Sequence, residues 1–131
     1  MCFSADDSEL YVYDSGKKSV EILAVGTWER LALIEISEFR KADKDNWGYI
    51  HATKNGFCLD FCWKGVMDGE NIRWNILFYN RKTGEKRIFE DCAYENYDAL
   101  TKDTIVLWKK EKYAVLSQEK GAEKEFYRNE E

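Results

Sequence analysis

Short segments of alternating apolar and polar residues, separated by turn-forming residues, run through this 131-residue chain, which contains no proline. The clearest pair is Phe57–Trp63 and Ile72–Tyr79, where every second residue is aliphatic or aromatic. A period of two is typical of a β-strand, whose successive side chains point to opposite faces. Glycine lies in the connections Asp14–Lys18, Lys54–Gly56 and Arg81–Gly84, as tight turns between strands favour. The pattern therefore predicts a mainly β protein built as an antiparallel meander.

About eight strands are expected, most of them joined by tight turns. A meander of this kind closes as a barrel or folds over as a two-sheet sandwich, and both remain open at this stage. Residues 1–117 are predicted to form a single all-β domain. Apolar residues at helical spacing predict one short helix near 93–101. Residues 118–131 are strongly charged and are predicted to form a C-terminal tail or a short helix.

The segment 28–39 fits two interpretations. Its content of leucine, alanine and glutamate suits a helix, for which Thr27 is a suitable N-cap. In a strand, Ala32, Ile34 and Ile36 would instead share one face. We favour the strand and keep the helix as the alternative.

The pairing of neighbouring strands predicts which residues form the core. With a turn centred near Met67 and Asp68, the central hairpin places its large apolar residues on one face. That predicted core face consists of Phe57, Leu59, Phe61, Trp63, Ile72, Trp74, Ile76 and Phe78. In the first hairpin, pairing Val12 with Val20 and Leu10 with Ile22 puts these four residues on one face and leaves Tyr11, Tyr13 and Glu21 on the other.

The opposite face of the central hairpin is predicted to be a recognition surface. It carries Cys58, Asp60, Cys62, Arg73, Asn75, Leu77 and Tyr79. Cysteine and leucine are unusual on a solvated face, so we expect a partner, a ligand or the C-terminal segment to cover part of it. The residues suited to binding are Asp60, Arg73, Asn75 and Tyr79, with Trp47 as a further candidate. The alternative is an Asp60–Arg73 ion pair on a solvated sheet.

Charge and cysteine content exclude some classes of function. The chain has 25 acidic and 20 basic residues, a net charge of −5, which argues against general binding to a nucleic-acid backbone. No apolar run approaches the roughly 18 residues of a membrane-spanning helix. The first residues lack the basic and apolar regions of a secretory signal, so we expect a cytoplasmic protein with four reduced thiols.

Cysteine also raises two questions of chemistry. Cys58 and Cys62 would lie ~13 Å apart on one strand, too far for a single zinc ion, and His51 is the only histidine. The sequence therefore predicts no metal site and no cofactor. Removal of Met1 would leave the thiol of Cys2 beside a free α-amino group, the arrangement of N-terminal nucleophile hydrolases.

The sequence contains no catalytic signature that we can identify, and it is rich in tryptophan and tyrosine. These features favour a binding protein over an enzyme. The leading hypothesis is a small acidic cytoplasmic protein that sequesters or inhibits a protein partner, as phage anti-defence and toxin-immunity proteins do. One alternative is a β-barrel that binds a small polar ligand such as a nucleotide. A third hypothesis is a hydrolase that uses Cys2 as its nucleophile.

Overall fold

The computed structural model describes residues 1–36, 47–64, 72–92, 96–101, 104–109, 112–118 and 121–127. Within these residues the chain forms twelve β-strands and no helix. The strands lie in three four-stranded antiparallel sheets that follow one another along the chain. The predicted mainly β fold is therefore confirmed, with more strands than expected. The described part of the chain does not show a closed barrel.

Each sheet is a meander in which strands that are consecutive in sequence are paired. The first sheet has the order β1-β2-β3-β4, formed by β1 (Cys2–Phe3), β2 (Glu9–Asp14), β3 (Ser19–Ala24) and β4 (Arg30–Glu35). The middle sheet has the order β5-β6-β7-β8, formed by β5 (Trp47–Thr53), β6 (Gly56–Lys64), β7 (Ile72–Asn80) and β8 (Lys86–Cys92). The third sheet has the order β12-β11-β10-β9, formed by β9 (Asn96–Thr101), β10 (Thr104–Lys109), β11 (Lys112–Ser117) and β12 (Gly121–Tyr127).

The middle sheet buries apolar side chains on both of its faces. One core cluster joins it to the first sheet and consists of Tyr11, Val20, Ile22, Ile36, Phe57, Leu59, Leu77 and Tyr79. A second cluster joins it to the third sheet and consists of Cys58, Ile76, Phe78, Ile105, Leu107, Ala114 and Leu116. A strand buried on both faces needs apolar residues at consecutive positions, which explains the sequence of β7.

The register of the central hairpin differs from the predicted one by a single residue. Phe57 pairs with Tyr79 and Leu59 pairs with Leu77, so Ile76 lies on the other face of the sheet. A shift of one residue exchanges the two faces of a strand. The predicted common core face is therefore wrong: its β6 and β7 residues lie in different clusters. Four predicted members have side chains outside the described part of the structure: Phe61, Trp63, Ile72 and Trp74.

The first hairpin shows the same one-residue difference. Its strands are closed by a four-residue turn, because Asp14 pairs with Ser19. The Asp14 carboxylate accepts hydrogen bonds from two backbone N–H groups of this turn, at 2.9 and 3.1 Å, and Lys18 has a positive φ of 51°. Tyr11 consequently lies opposite Ile22 and both are buried in the core, whereas the predicted pairing put them on opposite faces.

Three segments of ambiguous sequence all contain strands. Arg30–Glu35 is β4, so the helix alternative for this part of 28–39 is wrong. Asn96–Thr101 is β9 and pairs with β10, so the predicted helix near 93–101 is wrong for these residues, while 93–95 lie outside the described residues. Gly121–Tyr127 is β12 and pairs with β11, so the prediction of a tail or short helix at 118–131 is wrong for these residues, while 119–120 and 128–131 lie outside the described residues.

Two consecutive hydrogen bonds through buried side chains connect the middle and third sheets. The hydroxyl of Thr53 donates a hydrogen bond to the Oε1 atom of Gln118 at 2.9 Å. The Nε2 atom of Gln118 donates to the backbone carbonyl of Tyr79, also at 2.9 Å. Both polar side chains are buried, where hydrogen-bonding groups need partners.

Replacing Gln118 with leucine is expected to lower the free energy of unfolding by about 2 kcal/mol, because a buried hydroxyl and a buried carbonyl both lose a partner. Urea denaturation measures this change. Thr53→Val is the matched control, and the double variant should lose less than the sum of the two single losses, because the orphaned hydroxyl is removed with its partner. Additive losses would contradict the hydrogen bond between Thr53 and Gln118.

Candidate functional site

The structure separates the residues predicted to form the recognition surface. Asp60 lies on the face of the middle sheet that carries Cys58. Asn75 and Tyr79 lie on the opposite face, because the register pairs odd-numbered residues of β6 with odd-numbered residues of β7. All three are buried, with exposed fractions of 0%, 3% and 7%. The predicted common polar face is therefore wrong, since the register differs by one residue.

The other two predicted residues are placed by their backbone alone. Arg73 lies in β7 opposite Trp63, and Trp47 lies in β5 opposite Cys62. Their side chains are outside the described part of the structure. A contribution of these five residues to binding remains a prediction from the sequence.

Three side chains of different chemistry converge on one face of the middle sheet. The two-residue turn between Thr53 and Gly56 sets the register of β5 and β6, which places His51 directly opposite Cys58. Asp60 follows two residues later on β6 and therefore shares their face. The Nδ1 atom of His51 lies 3.6 Å from the Oδ2 atom of Asp60. The imidazole, thiol and carboxylate each offer an atom within 4.8 Å of the other two.

Burial sets the protonation of this cluster, which we call the His51 cluster. Cys58 and Asp60 are fully buried, whereas the His51 side chain is 29% exposed. Burial lowers the pKa of His51, which favours a neutral imidazole at pH 7. Burial raises the pKa of the Cys58 thiol well above its usual range, and the charge of Asp60 raises it further.

Sequence reasoning missed the His51 cluster because it compared cysteines along one strand. The relevant neighbour of Cys58 lies across the hairpin. The Lys54–Asn55 connection was recognisable from its Asn-Gly signal. Counting outward from that turn pairs His51 with Cys58, so the signal was present in the sequence.

A second candidate site is the solvent-facing side of the first sheet. Val12, Glu21 and Leu33 form one cross-strand row there, on the side opposite the core. The guanidinium of Arg30 forms an ion pair with Glu21 at 2.7 Å. An open depression of about 520 Å³ lies over this face; it is lined by Val12, Asp14, Lys17, Lys18, Ser19, Glu21, Arg30, Leu33 and Glu35.

Large apolar side chains are exposed along this part of the chain. Leu31 and Leu33 on β4 are each 47% exposed, while Trp28 and Val25 in the preceding turn are 51% and 39% exposed. We call these four residues the β3–β4 surface. Trp28 has a positive φ of 59°, and its N–H donates to the Ala24 carbonyl at 2.8 Å. A bulky residue rarely adopts this conformation, so the turn holds a strained backbone while exposing an indole ring.

The polar groups near the start of the chain are engaged with one another. The Asp6 carboxylate accepts hydrogen bonds from the Ser4 hydroxyl and from the N–H and hydroxyl of Ser8, at 2.6 to 3.0 Å. These bonds lower the pKa of Asp6 to about 2, the largest effect coming from the Ser8 hydroxyl. Arg81 pairs with Glu9 through two contacts of 3.2 and 3.3 Å. The Arg81–Glu9 contacts join the first sheet to the middle sheet, and both residues line a cleft of about 240 Å³.

Cys2 lies in β1, where it pairs with Tyr11 and is partly buried. Burial raises the pKa of its thiol, and the nearby N-terminal ammonium opposes this only in part. The hydrolase hypothesis concerns a chain from which Met1 has been removed, whereas Met1 precedes Cys2 in this structure.

Comparison with known proteins found no family model that matches this chain and no curated protein with significant similarity. The described residues contain no helix with the length and apolar character needed to cross a membrane.

Proposed function

We propose that this protein is a binding module that docks a protein partner on the β3–β4 surface. The observation that carries this proposal is the exposure of two leucines, Leu31 and Leu33, on the same side of an ordered strand. Contiguous exposed apolar side chains rimmed by polar residues are typical of protein interaction sites. Trp28 adds an aromatic anchor, the residue type most enriched among side chains that dominate binding energy.

The chemistry of the surface favours one kind of partner. Its apolar residues suit an apolar patch, and the Arg30–Glu21 ion pair supplies a polar rim that excludes water around them. The net charge of −5 favours approach by a protein whose surface is basic overall. The partner of this proposal is therefore a protein with an apolar patch in basic surroundings.

Binding is proposed to sequester or inhibit this partner in the cytoplasm. Ligand binding inside a barrel has less support, because the described chain shows no closed barrel. A small ligand on the solvent-facing side of the first sheet would overlap the proposed binding site of the partner.

Variants of the β3–β4 surface test the proposal. The full chain is immobilised as wild type, as Leu33→Ser and as Tyr49→Ser, the last being a control with a 55% exposed apolar residue on the middle sheet. Proteins captured by the wild type are purified, and their Kd values are measured by calorimetry. Leu33→Ser should raise the Kd about 30-fold, equivalent to about 2 kcal/mol, and Tyr49→Ser should leave it nearly unchanged.

Capture alone does not support the proposal, because exposed apolar residues also bind proteins non-specifically. Equal affinity of wild type and Leu33→Ser for the purified partner would reject the β3–β4 surface. The β3–β4 surface would also be rejected if no captured protein binds the wild type more tightly than it binds Leu33→Ser. Loss of binding in Cys2→Ser together with full binding by Leu33→Ser would contradict the proposal and place the binding site near β1. Circular dichroism establishes that each variant keeps its β spectrum.

A further inference from the structure

We propose that His51, Cys58 and Asp60 bind one divalent transition-metal ion of the zinc type. This site departs from the sequence-based expectation of a metal-free chain, and it is separate from the β3–β4 surface. It lies on the face of the middle sheet that packs against the third sheet.

The donor set matches the coordination chemistry of zinc. Imidazole nitrogen, thiolate sulfur and carboxylate oxygen are its ordinary protein ligands, at about 2.0 to 2.3 Å. Donors around a tetrahedral ion at these lengths lie roughly 3.5 Å apart. The 3.6 Å between His51 Nδ1 and Asp60 Oδ2 is already at this separation, and all the donor atoms lie within 4.8 Å of one another. Side-chain movements on the order of 1 Å would complete the set of three.

Charge balance favours a dication at this depth. A thiolate and a carboxylate together carry two negative charges, and the neutral imidazole adds none. Zinc would therefore form an electrically neutral unit, which is the state that a buried site tolerates. In the binding step, the ion replaces the proton of the Cys58 thiol, this proton leaves to solvent, and no electron is transferred.

The backbone holds the three donors before an ion arrives. The ladder of β5 and β6 fixes His51 opposite Cys58, so little chain entropy is lost when the ion binds. Cys58 packs within the second core cluster, with Ile76, Phe78 and Ile105 among its members. This apolar setting strengthens the attraction between the ion and its charged donors. Entry is available at His51, whose side chain is 29% exposed.

Three protein donors leave one coordination position for water or an external ligand. The site therefore differs from a closed structural site with four protein donors. It can still stabilise the fold, because an ion that binds only the folded chain shifts the equilibrium toward that state.

Cobalt(II) is the probe that tests this site, since it accepts zinc ligands and gives an absorption spectrum. Titration of the reduced full chain should produce a thiolate-to-cobalt charge-transfer band that saturates at one equivalent and disappears on addition of Zn²⁺. His51→Gln, Cys58→Ala and Asp60→Asn should each weaken cobalt binding at least about 10-fold. Loss of an outer group that only orients a ligand already costs about this much, and these three residues are the ligands themselves. Cys2→Ala is the matched cysteine control and should bind as the wild type does.

A second measurement covers variants that fold poorly. Zn²⁺ should raise the thermal midpoint of the wild type and of Cys2→Ala, but not that of Cys58→Ala. The proposal is overturned if the wild type gives no charge-transfer band, or if Cys58→Ala retains stoichiometric binding. It is also overturned if the band depends on Cys2. Leu33→Ser should bind cobalt normally, which keeps this test independent of the partner surface.

Discussion

Replacing Gly56 with alanine is expected to lower the free energy of unfolding by about 3 kcal/mol or more, at the upper end of the cost of overfilling a packed interior. Gly56 opens β6 directly after the Lys54–Asn55 connection and pairs with Asn80. A Cβ atom on it would overlap the backbone carbonyl of Tyr79 and approach the backbone nitrogen of Arg81 at 3.0 Å. Backbone atoms in a ladder cannot move aside as a flexible side chain does, so the two strands must separate.

Two other glycines are matched controls for this substitution. Gly16→Ala places its Cβ 3.4 Å from a side-chain oxygen of Asp14, an ordinary contact, so stability should stay within about 0.5 kcal/mol of the wild type. Gly84→Ala meets no atom but has a φ of +76°, and it should cost about 1 to 2 kcal/mol through backbone strain. Urea denaturation followed by tryptophan fluorescence measures all three. A Gly56→Ala variant no less stable than Gly16→Ala would contradict the close strand approach.

Replacing Phe57 with alanine is expected to cost about 3 to 5 kcal/mol, since it removes a large side chain from a closely packed interior. Phe57 is fully buried where the first and middle sheets meet. Its ring centroid lies 5.3 Å from that of Tyr11 and 5.1 Å from that of Tyr79. The loss combines burial with these ring contacts. Chemical denaturation measures the change, and a cost under about 1 kcal/mol would mean that Phe57 does not lie in a core.

Double-mutant cycles then test the register, with milder substitutions that keep the chain folded. Phe57→Leu and Tyr79→Leu should be coupled by about 0.5 to 1.5 kcal/mol, because the two rings touch. Phe57→Leu and Phe78→Leu should be additive within about 0.5 kcal/mol, because these residues belong to clusters on opposite faces. The register predicted from the sequence would give the reverse result.

The two proposed sites use different properties of the same architecture. The first sheet covers the middle sheet with one face and exposes the other, which leaves Leu31 and Leu33 in contact with solvent. The middle sheet is covered on both faces, which places the His51 cluster at low dielectric. Surface recognition needs the first condition, whereas strong binding of a dication benefits from the second.

Local features of the fold were predictable from the sequence. The alternation of apolar residues identified the strand character of β2, β6 and β7, and the Asn-Gly signal located the turn between β5 and β6. The Arg81–Gly84 turn was also predicted, and its glycine has a φ of 76°. The common face of Ala32, Ile34 and Ile36 was also predicted, and these three residues are more buried than Leu31 and Leu33. Each of these features depends on residues close together in the chain.

The sequence by itself therefore determined the strand class and several turns. The tertiary structure decided the one-residue registers, the grouping of strands into three sheets and the burial of Asp60. Where both faces of a strand are apolar, as in β7, hydrophobicity does not distinguish one register from the next. That choice depends on sheets packing from distant parts of the chain, and it decides which side chains meet.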